Sequence, residues 1–427
     1  MIIIVNVTII TLNEANQVLR NGAIVIQNDR IIDLGDSTAM QTKYEAEVVI
    51  DATGKLVLPG LINSHTHMCR SLLRGKTADI PLEKFLKHVY DYRASVSKEE
   101  LRIATLLSYI EMIKSGTTCF VSHQNARFIE EAIEATIPIG LRGVFARILI
   151  DDPRMPDNLR ESPPEAVKNT LNLCEKHSSE SRIRVIFGPM GLHNCSLELM
   201  KEAGKANQEH KLGIHTHCSE TKETAEKSRR LYKQSEMQAL QKAGILASDT
   251  TLVHCSYISD YDIEIIGNTN SSIVHCPGSI NRKRNGSILA SRLAQGGIKV
   301  AIGSDGPSNC HNLFKELREY ALLDESLSPF NLLRMATING AKALRMEEEI
   351  GSLELGKKAD MIIIDQPSGK NPLFDLAISS GDVLVTDVIV DGQFIMRNRK
   401  ILTCDEGQIM QNVLPYIETS FWDRGSS

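Results

Sequence analysis

Two pairs of histidines in this chain are spaced one residue apart at the ends of apolar runs. His65 and His67 form the first pair, and His215 and His217 form the second, with Glu220 three residues beyond it. In an extended strand, residues two apart project to the same side, so both imidazoles of a pair can reach one metal ion. The spacing therefore indicates metal chemistry.

Two more polar residues follow short apolar runs of the same kind. His254 comes directly after 251–253, and Asp305 comes shortly after 300–302. In a barrel of parallel strands, catalytic residues gather at the carboxyl ends of several strands. Histidines with a carboxylate bind a divalent ion, and such a site lowers the pKa of bound water to ~7. The pattern predicts a metal site in a barrel enzyme.

Composition narrows the class of protein. The 427 residues suffice for a barrel of ~250 residues and a smaller domain. The net charge of −5 and the pI near 6.2 provide no basic surface for a nucleic acid partner. No apolar run approaches the ~20 residues of a membrane span. The nine cysteines are odd in number and lie mostly in apolar runs, which is typical of reduced thiols in a cytoplasmic protein.

The pattern of elements changes along the chain. Residues 1–56 and 349–427 read as short strands broken by turn signals, whereas 57–348 alternates short apolar strands with helical periodicity, which predicts βα units. Counting the run before His65, the expected strands number eight, the others being 117–121, 141–150, 184–188, 211–217, 251–254, 272–275 and 299–303. Helical periodicity appears in 98–115, 165–176 and 196–209, and loops are expected at 152–164 and 282–284.

Four motifs in this order, PGLINSHTH, HTHCSET, LVHCS and GSDGPS, carry a resemblance to a known family. The chain is similar to the amidohydrolase superfamily, in its cytosine-deaminase-like branch, which includes S-adenosylhomocysteine/methylthioadenosine deaminases and triazine chlorohydrolases. The similarity runs from Val5 to about Arg397. It implies an α/β fold, a (β/α)₈ TIM-like barrel with a small β-sandwich domain formed from both chain ends, and a homo-oligomer.

The resemblance also implies a ligand set. His65, His67, His217 and Asp305 are expected to hold one divalent metal ion per chain, with zinc as the first expectation and iron as the alternative, since both accept imidazole and carboxylate. His217 is preferred to His215 because the family pattern His-x-x-Glu fits only His217 with Glu220.

The same resemblance implies roles for further residues. Glu220 is expected to shuttle protons, His254 to orient the hydroxide, and Asp305 to accept its proton and protonate the departing amine. His193 and Arg147 match substrate-contacting residues of the adenosine-type deaminases, although Arg147 also fits a salt-bridged barrel arginine.

The remaining histidines carry weaker patterns. His123 and His275 end other strands and are expected to contact either substrate or backbone. The others follow no pattern and are expected in solvent: His88, His177, His210 and His311.

The predicted reaction is hydrolytic deamination of an aminated nitrogen heterocycle of purine, pyrimidine, pterin or triazine type by a metal-bound hydroxide, with release of ammonia. One alternative is a chlorohydrolase or N-alkylamine hydrolase acting on a triazine. Glu220 and His254 favour an amine leaving group, because ammonia must be protonated and chloride need not be. An alternative of another class is a non-catalytic scaffold on the same fold.

The substrate prediction depends on a missing residue. In S-adenosylhomocysteine and methylthioadenosine deaminases a ribose-binding glutamate follows a tryptophan-leucine pair, whereas Phe85 and Leu86 are followed here by 90–95 with no glutamate in register. This departure favours a free base or small heterocycle over a nucleoside. Residues 282–284, Arg-Lys-Arg, are expected either at the cavity mouth or as solvated loop charges.

Overall fold

The computed structural model describes residues 1–74, 82–283, 286, 288–306, 310–367, 369, 371–379 and 383–422. They contain a mixed sheet built from both chain ends and a parallel sheet built from the middle of the chain. In this described part, no helix is both long and apolar enough to cross a membrane.

The first sixty residues are mostly strands. β-Branched residues dominate them, because a pleated and half-buried surface suits these side chains. The elements are β1 (Ile2–Ile10), β2 (Val18–Gln27), β3 (Arg30–Asp36), α1 (Ser37–Lys43), β4 (Val48–Asp51) and β5 (Lys55–Pro59).

Eight parallel strands follow in the described residues, pairing in chain order. All eight predicted runs are confirmed as strands: β6 (Leu61–Thr66), β7 (Thr117–Gln124), β8 (Arg142–Leu149), β9 (Ile183–Pro189), β10 (Ile214–Cys218), β11 (Thr250–His254), β12 (Ser272–His275) and β13 (Val300–Ile302). Short apolar strands that alternate with helices form parallel sheets, because each crossover helix returns the chain to the end of the sheet where the previous strand began.

Helices cover the outside of this barrel, and the three helical segments predicted from periodicity are confirmed. The helices are α2 (Leu82–Ser95), α3 (Lys98–Lys114), α4 (Ile129–Thr136), α5 (Pro163–Lys176), α6 (Leu197–His210), α7 (Lys222–Tyr232), α8 (Glu236–Lys242), α9 (Asp260–Thr269), α10 (Pro277–Lys283), α11 (Ala290–Gln295), α12 (Leu313–Leu323), α13 (Pro329–Met335) and α14 (Ile338–Ala343).

One loop prediction is wrong. Arg282 and Lys283 end helix α10, which begins at Pro277. Proline suits the first turn of a helix, and cationic residues suit its last turn because of the helix dipole. Arg284 lies outside the described residues.

The chain ends in a second group of strands and two helices: β14 (Met361–Asp365), α15 (Pro372–Ala377), β15 (Val385–Val390), β16 (Gln393–Arg397), β17 (Lys400–Ile401) and α16 (Glu406–Trp422). β14 pairs antiparallel with β5, with Ile362 opposite Leu58. The predicted union of the two ends is confirmed, and the described residues form one mixed sheet of nine strands.

The barrel closes between its first and last strands. The Asp305 N–H donates to the carbonyl oxygen of His65 at 3.0 Å, and Thr66 forms a parallel bridge with Asp305. Gly303 permits this close approach, because a Cβ there would lie 2.7 Å from the backbone nitrogen of His65. Closure therefore brings the predicted aspartate beside the first histidine pair.

Candidate metal centre

The carboxyl end of β6 presents two buried imidazoles. The Nδ1–H of His67 donates to the carbonyl oxygen of His123 at 3.0 Å, which leaves its Nε2 as the ligand atom. Nε2 of His65 is buried and has no hydrogen-bond partner in the described part of the chain. A buried polar atom without a partner is energetically unfavourable, so this nitrogen is suited to coordinate a metal ion.

The third imidazole comes from β10. The Nδ1–H of His217 donates to the carbonyl oxygen of Met190 at 2.9 Å, so its Nε2 is also free to ligate. The rings of His67 and His217 stack with centroids 5.4 Å apart. The candidate ligand nitrogens of His65, His67 and His217 all lie within 4.8 Å of one another. Burial lowers the pKa of His67 and of His217 well below the ordinary range, so both rings are neutral, as ligation requires.

Asp305 adds a carboxylate to this group. Its Oδ1 lies 3.6 Å from Nε2 of His65 and 3.6 Å from Nε2 of His67. Two donors at ~2.1 Å from a tetrahedral ion are ~3.4 Å apart, so the four side chains fit a divalent metal. The hydroxyl of Ser279 donates to Oδ2 of Asp305 at 2.7 Å, which orients the carboxylate.

A second group of histidines lies against the first. Nδ1 of His65 is 2.8 Å from Nε2 of His215, and the Nε2–H of His123 donates to the carbonyl oxygen of Gly188 at 2.9 Å. His65, His123 and His215 also offer nitrogens close enough for one ion. Because the His215 nitrogen already contacts His65, His215 is placed to orient that candidate ligand.

Glu220 and His254 face each other beside the candidate metal ligands. Oε2 of Glu220 lies 3.8 Å from Nε2 of His254, whose ring stacks on His217 with centroids 5.5 Å apart. His254 and Asp305 have left-handed backbone, with φ of 74° and 54°. Such conformations are strained for residues other than glycine and cluster at functional sites.

The turn before Glu220 is held by a residue that sequence reasoning missed. The backbone N–H of Ser219 donates to Oε2 of Glu236 at 2.7 Å. Burial raises the pKa of Glu236 to about 7. The chain signals the start of α8 through the capping pair Ser235 and Gln238, but nothing in that pattern indicates the buried carboxylate between them.

The two predicted substrate residues lie in different places. The ring of His193 is 6.3 Å from that of His217, and burial lowers its pKa to about 4. Arg147 instead forms two bonds to Glu161, at 2.8 and 2.7 Å. Residues two apart on a strand share a face, and Phe145 packs among the helices, so Arg147 faces the helices as well. The structure does not bring Arg147 to the histidine cluster.

Two of the other histidine predictions are wrong. His177 and His311 were expected in solvent and are buried, and Nδ1 of His311 lies 2.8 Å from the hydroxyl oxygen of Ser304. His275 is buried with its Nδ1 2.8 Å from the hydroxyl oxygen of Tyr320. Arg70 and Arg93 are also buried, and sequence reasoning gave neither a role.

A family comparison decides the class of this protein. The amidohydrolase family profile matches residues 56–395. This chain belongs to the amidohydrolase family. The chain is 35% identical over 96% of its length to 5-methylthioadenosine/S-adenosylhomocysteine deaminase of Thermoanaerobacter pseudethanolicus, covering 97% of that relative. It is 34% identical to 5'-deoxyadenosine deaminase of Methanobrevibacter smithii, covering 93% of each chain.

Solved structures agree on the fold of this amidohydrolase. An adenosine deaminase from Xanthomonas campestris with bound zinc matches with a TM-score of 0.93 at 24% identity, covering 98% of both chains. Zinc-bound atrazine chlorohydrolase from Arthrobacter aurescens matches with a TM-score of 0.90 at 24% identity, covering 98% of this chain and 100% of that one. The predicted barrel fold is confirmed. The amidohydrolase is a hydrolase acting on carbon–nitrogen bonds, as predicted, and its histidine cluster indicates a metal ion.

Proposed function

We propose that this amidohydrolase deaminates an aminated nitrogen heterocycle, with one divalent ion held by His65, His67, His217 and Asp305. The observation that carries the proposal is the convergence of three buried imidazoles and one carboxylate next to Glu220. A bound ion would act as a Lewis acid and lower the pKa of a water molecule to ~7. Zinc is the first candidate, since it accepts this donor set in tetrahedral geometry.

The chain's own residues then move protons. Oε2 of Glu220 takes a proton from water and delivers it to a ring nitrogen of the substrate, because a carboxylate next to an imidazole can act as base and then as acid. Nε2 of His254, 3.8 Å from Glu220, orients the attacking oxygen. Asp305 accepts the remaining proton of the attacking oxygen and transfers it to the departing nitrogen, which leaves as ammonia. His193 lies close enough to His217 to contact the heterocycle.

The leaving group and substrate class follow from the same residues. An amine must be protonated to leave, so Glu220 and His254 support deamination over removal of chloride from a triazine. Relatives are named as deaminases of methylthioadenosine, S-adenosylhomocysteine and 5'-deoxyadenosine. Since the ribose-binding glutamate has no counterpart in 85–95, we expect a free base or small aminated heterocycle to have a higher kcat/KM than S-adenosylhomocysteine or methylthioadenosine.

Ammonia release from a panel of aminated purines, pyrimidines, pterins and triazines tests this proposal, with metal content measured on the same preparations. A single ion per chain and ammonia release from a ring amine are the expected results. Chloride release from a chlorotriazine without ammonia release from any amine would favour the triazine reaction. If either nucleoside is the better substrate by tenfold or more, the inference from the missing glutamate is wrong.

A further inference from the structure

Two buried arginines lie beside the candidate metal centre. Arg70 is 5% exposed to solvent, and Arg93 is 1% exposed. Arg93 lies near the end of α2. Arg70 belongs to a 3₁₀ helix that directly follows His67. The backbone N–H of Arg70 donates to the carbonyl oxygen of His67 at 3.0 Å. Arg70 is therefore close to a candidate metal ligand both in the sequence and in space.

Contacts to the mouth of the barrel fix the position of Arg93. The side-chain amide of Asn125, which lies just beyond β7, donates to the carbonyl oxygen of Arg93 at 3.2 Å. The guanidinium carbon of Arg93 is 5.8 Å from the ring centroid of Tyr90. Tyr90 in turn donates its hydroxyl hydrogen to Asn194, next to His193, at 2.6 Å. Arg93 is thus held between the ends of two barrel strands and their loops.

Neither guanidinium has a counter-charge in the described part of the chain. Nε and Nη2 of Arg70, and Nε and Nη1 of Arg93, are buried without a hydrogen-bond partner there. Burial and then the charge of Arg70 lower the pKa of His67. Burial and then the charge of His65 lower the pKa of His123 most, and the charges of Arg93 and Arg70 add to this effect. Burial, followed by the charge of Arg70, lowers the pKa of Arg93 to about 10, so Arg93 is cationic at neutral pH.

Two buried cations whose charges act on each other, as those of Arg70 and Arg93 do, are unfavourable unless an anion joins them. Removing a charge from water costs several kcal/mol, and planar guanidinium groups recover this cost best by bidentate bonding to a carboxylate or phosphate. The unpartnered donors of Arg70 and Arg93 are four N–H-bearing nitrogens next to the metal ligands. Such a set is organised in advance for an anionic group on a substrate.

We propose that Arg70 and Arg93 form a subsite for an anionic substituent, a carboxylate or a phosphate, on the heterocyclic substrate. This inference rests on the proposed deaminase function, because it assigns the substrate class of the same site. Substrates with an anionic group are favoured, and neutral ribosyl groups are disfavoured.

Matched pairs of compounds test the subsite. Pterin-6-carboxylate is compared with pterin, and adenosine 5'-monophosphate with adenosine, by ammonia release from the metal-loaded enzyme. The anionic member should have a kcat/KM higher by ~10- to 100-fold in the pair that is turned over, as charge-assisted hydrogen bonds provide. The pair with the larger ratio tells whether carboxylate or phosphate is the preferred group.

Variants connect the preference to the two arginines. Arg93→Met and Arg70→Met should reduce the ratio to near one, and Arg93→Lys should retain part of it, since lysine keeps the charge without the planar fork. Arg20→Met is the matched control, because Arg20 is exposed on β2, and its ratio should equal that of the wild type. Equal or better turnover of the neutral members would overturn the subsite and leave the deaminase proposal standing.

A binding measurement separates the two proposals. If none of the four compounds releases ammonia, the deaminase proposal loses support, but the subsite can still be tested on metal-depleted protein. Pterin-6-carboxylate should then bind at least ~10-fold more tightly than pterin, measured by pterin fluorescence, and Arg93→Met should abolish the difference. Equal affinities for the two pterins would overturn the subsite.

Discussion

Arg142 and Arg93 are both buried arginines, but they have different surroundings. Arg142, at the start of β8, bonds Asp360 at 3.1 Å and Asp391 at 2.6 Å, and Asp391 also accepts from Arg182 at 2.8 Å. These bonds join the barrel to the mixed sheet. At the mouth, Arg93 has no carboxylate partner in the described residues. Buried charge at the base of the barrel holds the fold together, whereas the mouth keeps charged and polar atoms available for ligands.

The largest expected effect is at the mouth. His217→Ala removes one of three imidazoles, so the protein should lose most of its metal, and activity should fall to background, beyond the ~10- to 100-fold typical of residues that only support a ligand. Elemental analysis and ammonia release measure the two effects. His210→Ala is the control, because His210 is exposed at the end of α6. Two tightly held ions per chain in the wild type would contradict the single-ion proposal.

Glu220→Gln keeps the shape of the side chain and removes the proton acceptor. Turnover should fall by ~10²- to 10⁴-fold while metal content and the free energy of unfolding stay near wild type. The exposed Glu223 supplies the matched variant, Glu223→Gln, which should retain turnover. Retained activity in Glu220→Gln would remove this residue from the mechanism.

At the base of the barrel the effect should appear in stability. Arg142→Met leaves Asp360 and Asp391 buried next to an apolar side chain, which should lower the free energy of unfolding by ~3–5 kcal/mol. Urea denaturation measures this change. The remaining folded enzyme should show near-normal kcat, since Arg142 lies at the opposite end of β8 from the strand end that faces the metal ligands. An unchanged unfolding free energy would show that the base does not use its charges as described.

Arg93→Met is the counterpart at the mouth. It removes a buried charge that has no partner in the described residues, so the free energy of unfolding should equal or exceed that of the wild type by up to ~4 kcal/mol. The same urea titration in the absence of ligand checks it. A loss of stability as large as that of Arg142→Met would mean that Arg93 has a counter-charge within the protein, and the distinction between the two ends would fail.

The smallest expected effect is a dependence of stability on acid. Burial raises the pKa of Asp391, but the charges of Arg142 and Arg182 outweigh burial and hold this pKa below its ordinary value of 3.8. A carboxyl group whose pKa is lower in the folded state than in the unfolded state stabilises the folded protein. This contribution is complete at pH values above the unfolded-state pKa and is lost as the pH falls through the folded-state pKa. Unfolding free energies measured from pH 5 to 2.5 should therefore decline, and the decline should be shallower in Arg142→Met. Equal slopes would exclude this contribution.

Periodicity and motif order predicted much of this molecule. The eight barrel strands and the union of the chain ends were expected, because strand and helix periods are local properties of the chain. The grouping of His65, His67, His217 and Asp305 was also expected, since parallel strands bring their carboxyl ends to one edge. Their roles as ligands stay predictions until metal is measured.

Only the tertiary structure determined which isolated polar residues are buried and what they contact. A period of two shows that Arg147 shares a face with Phe145, but packing against the helices determines that this face points away from the barrel interior. His311, Glu236 and Arg93 follow no local pattern that indicates burial, because their burial depends on elements distant in the chain. A lone charged side chain is usually solvated, so sequence alone favours that reading, and only the fold shows which charges are enclosed and which of them have partners.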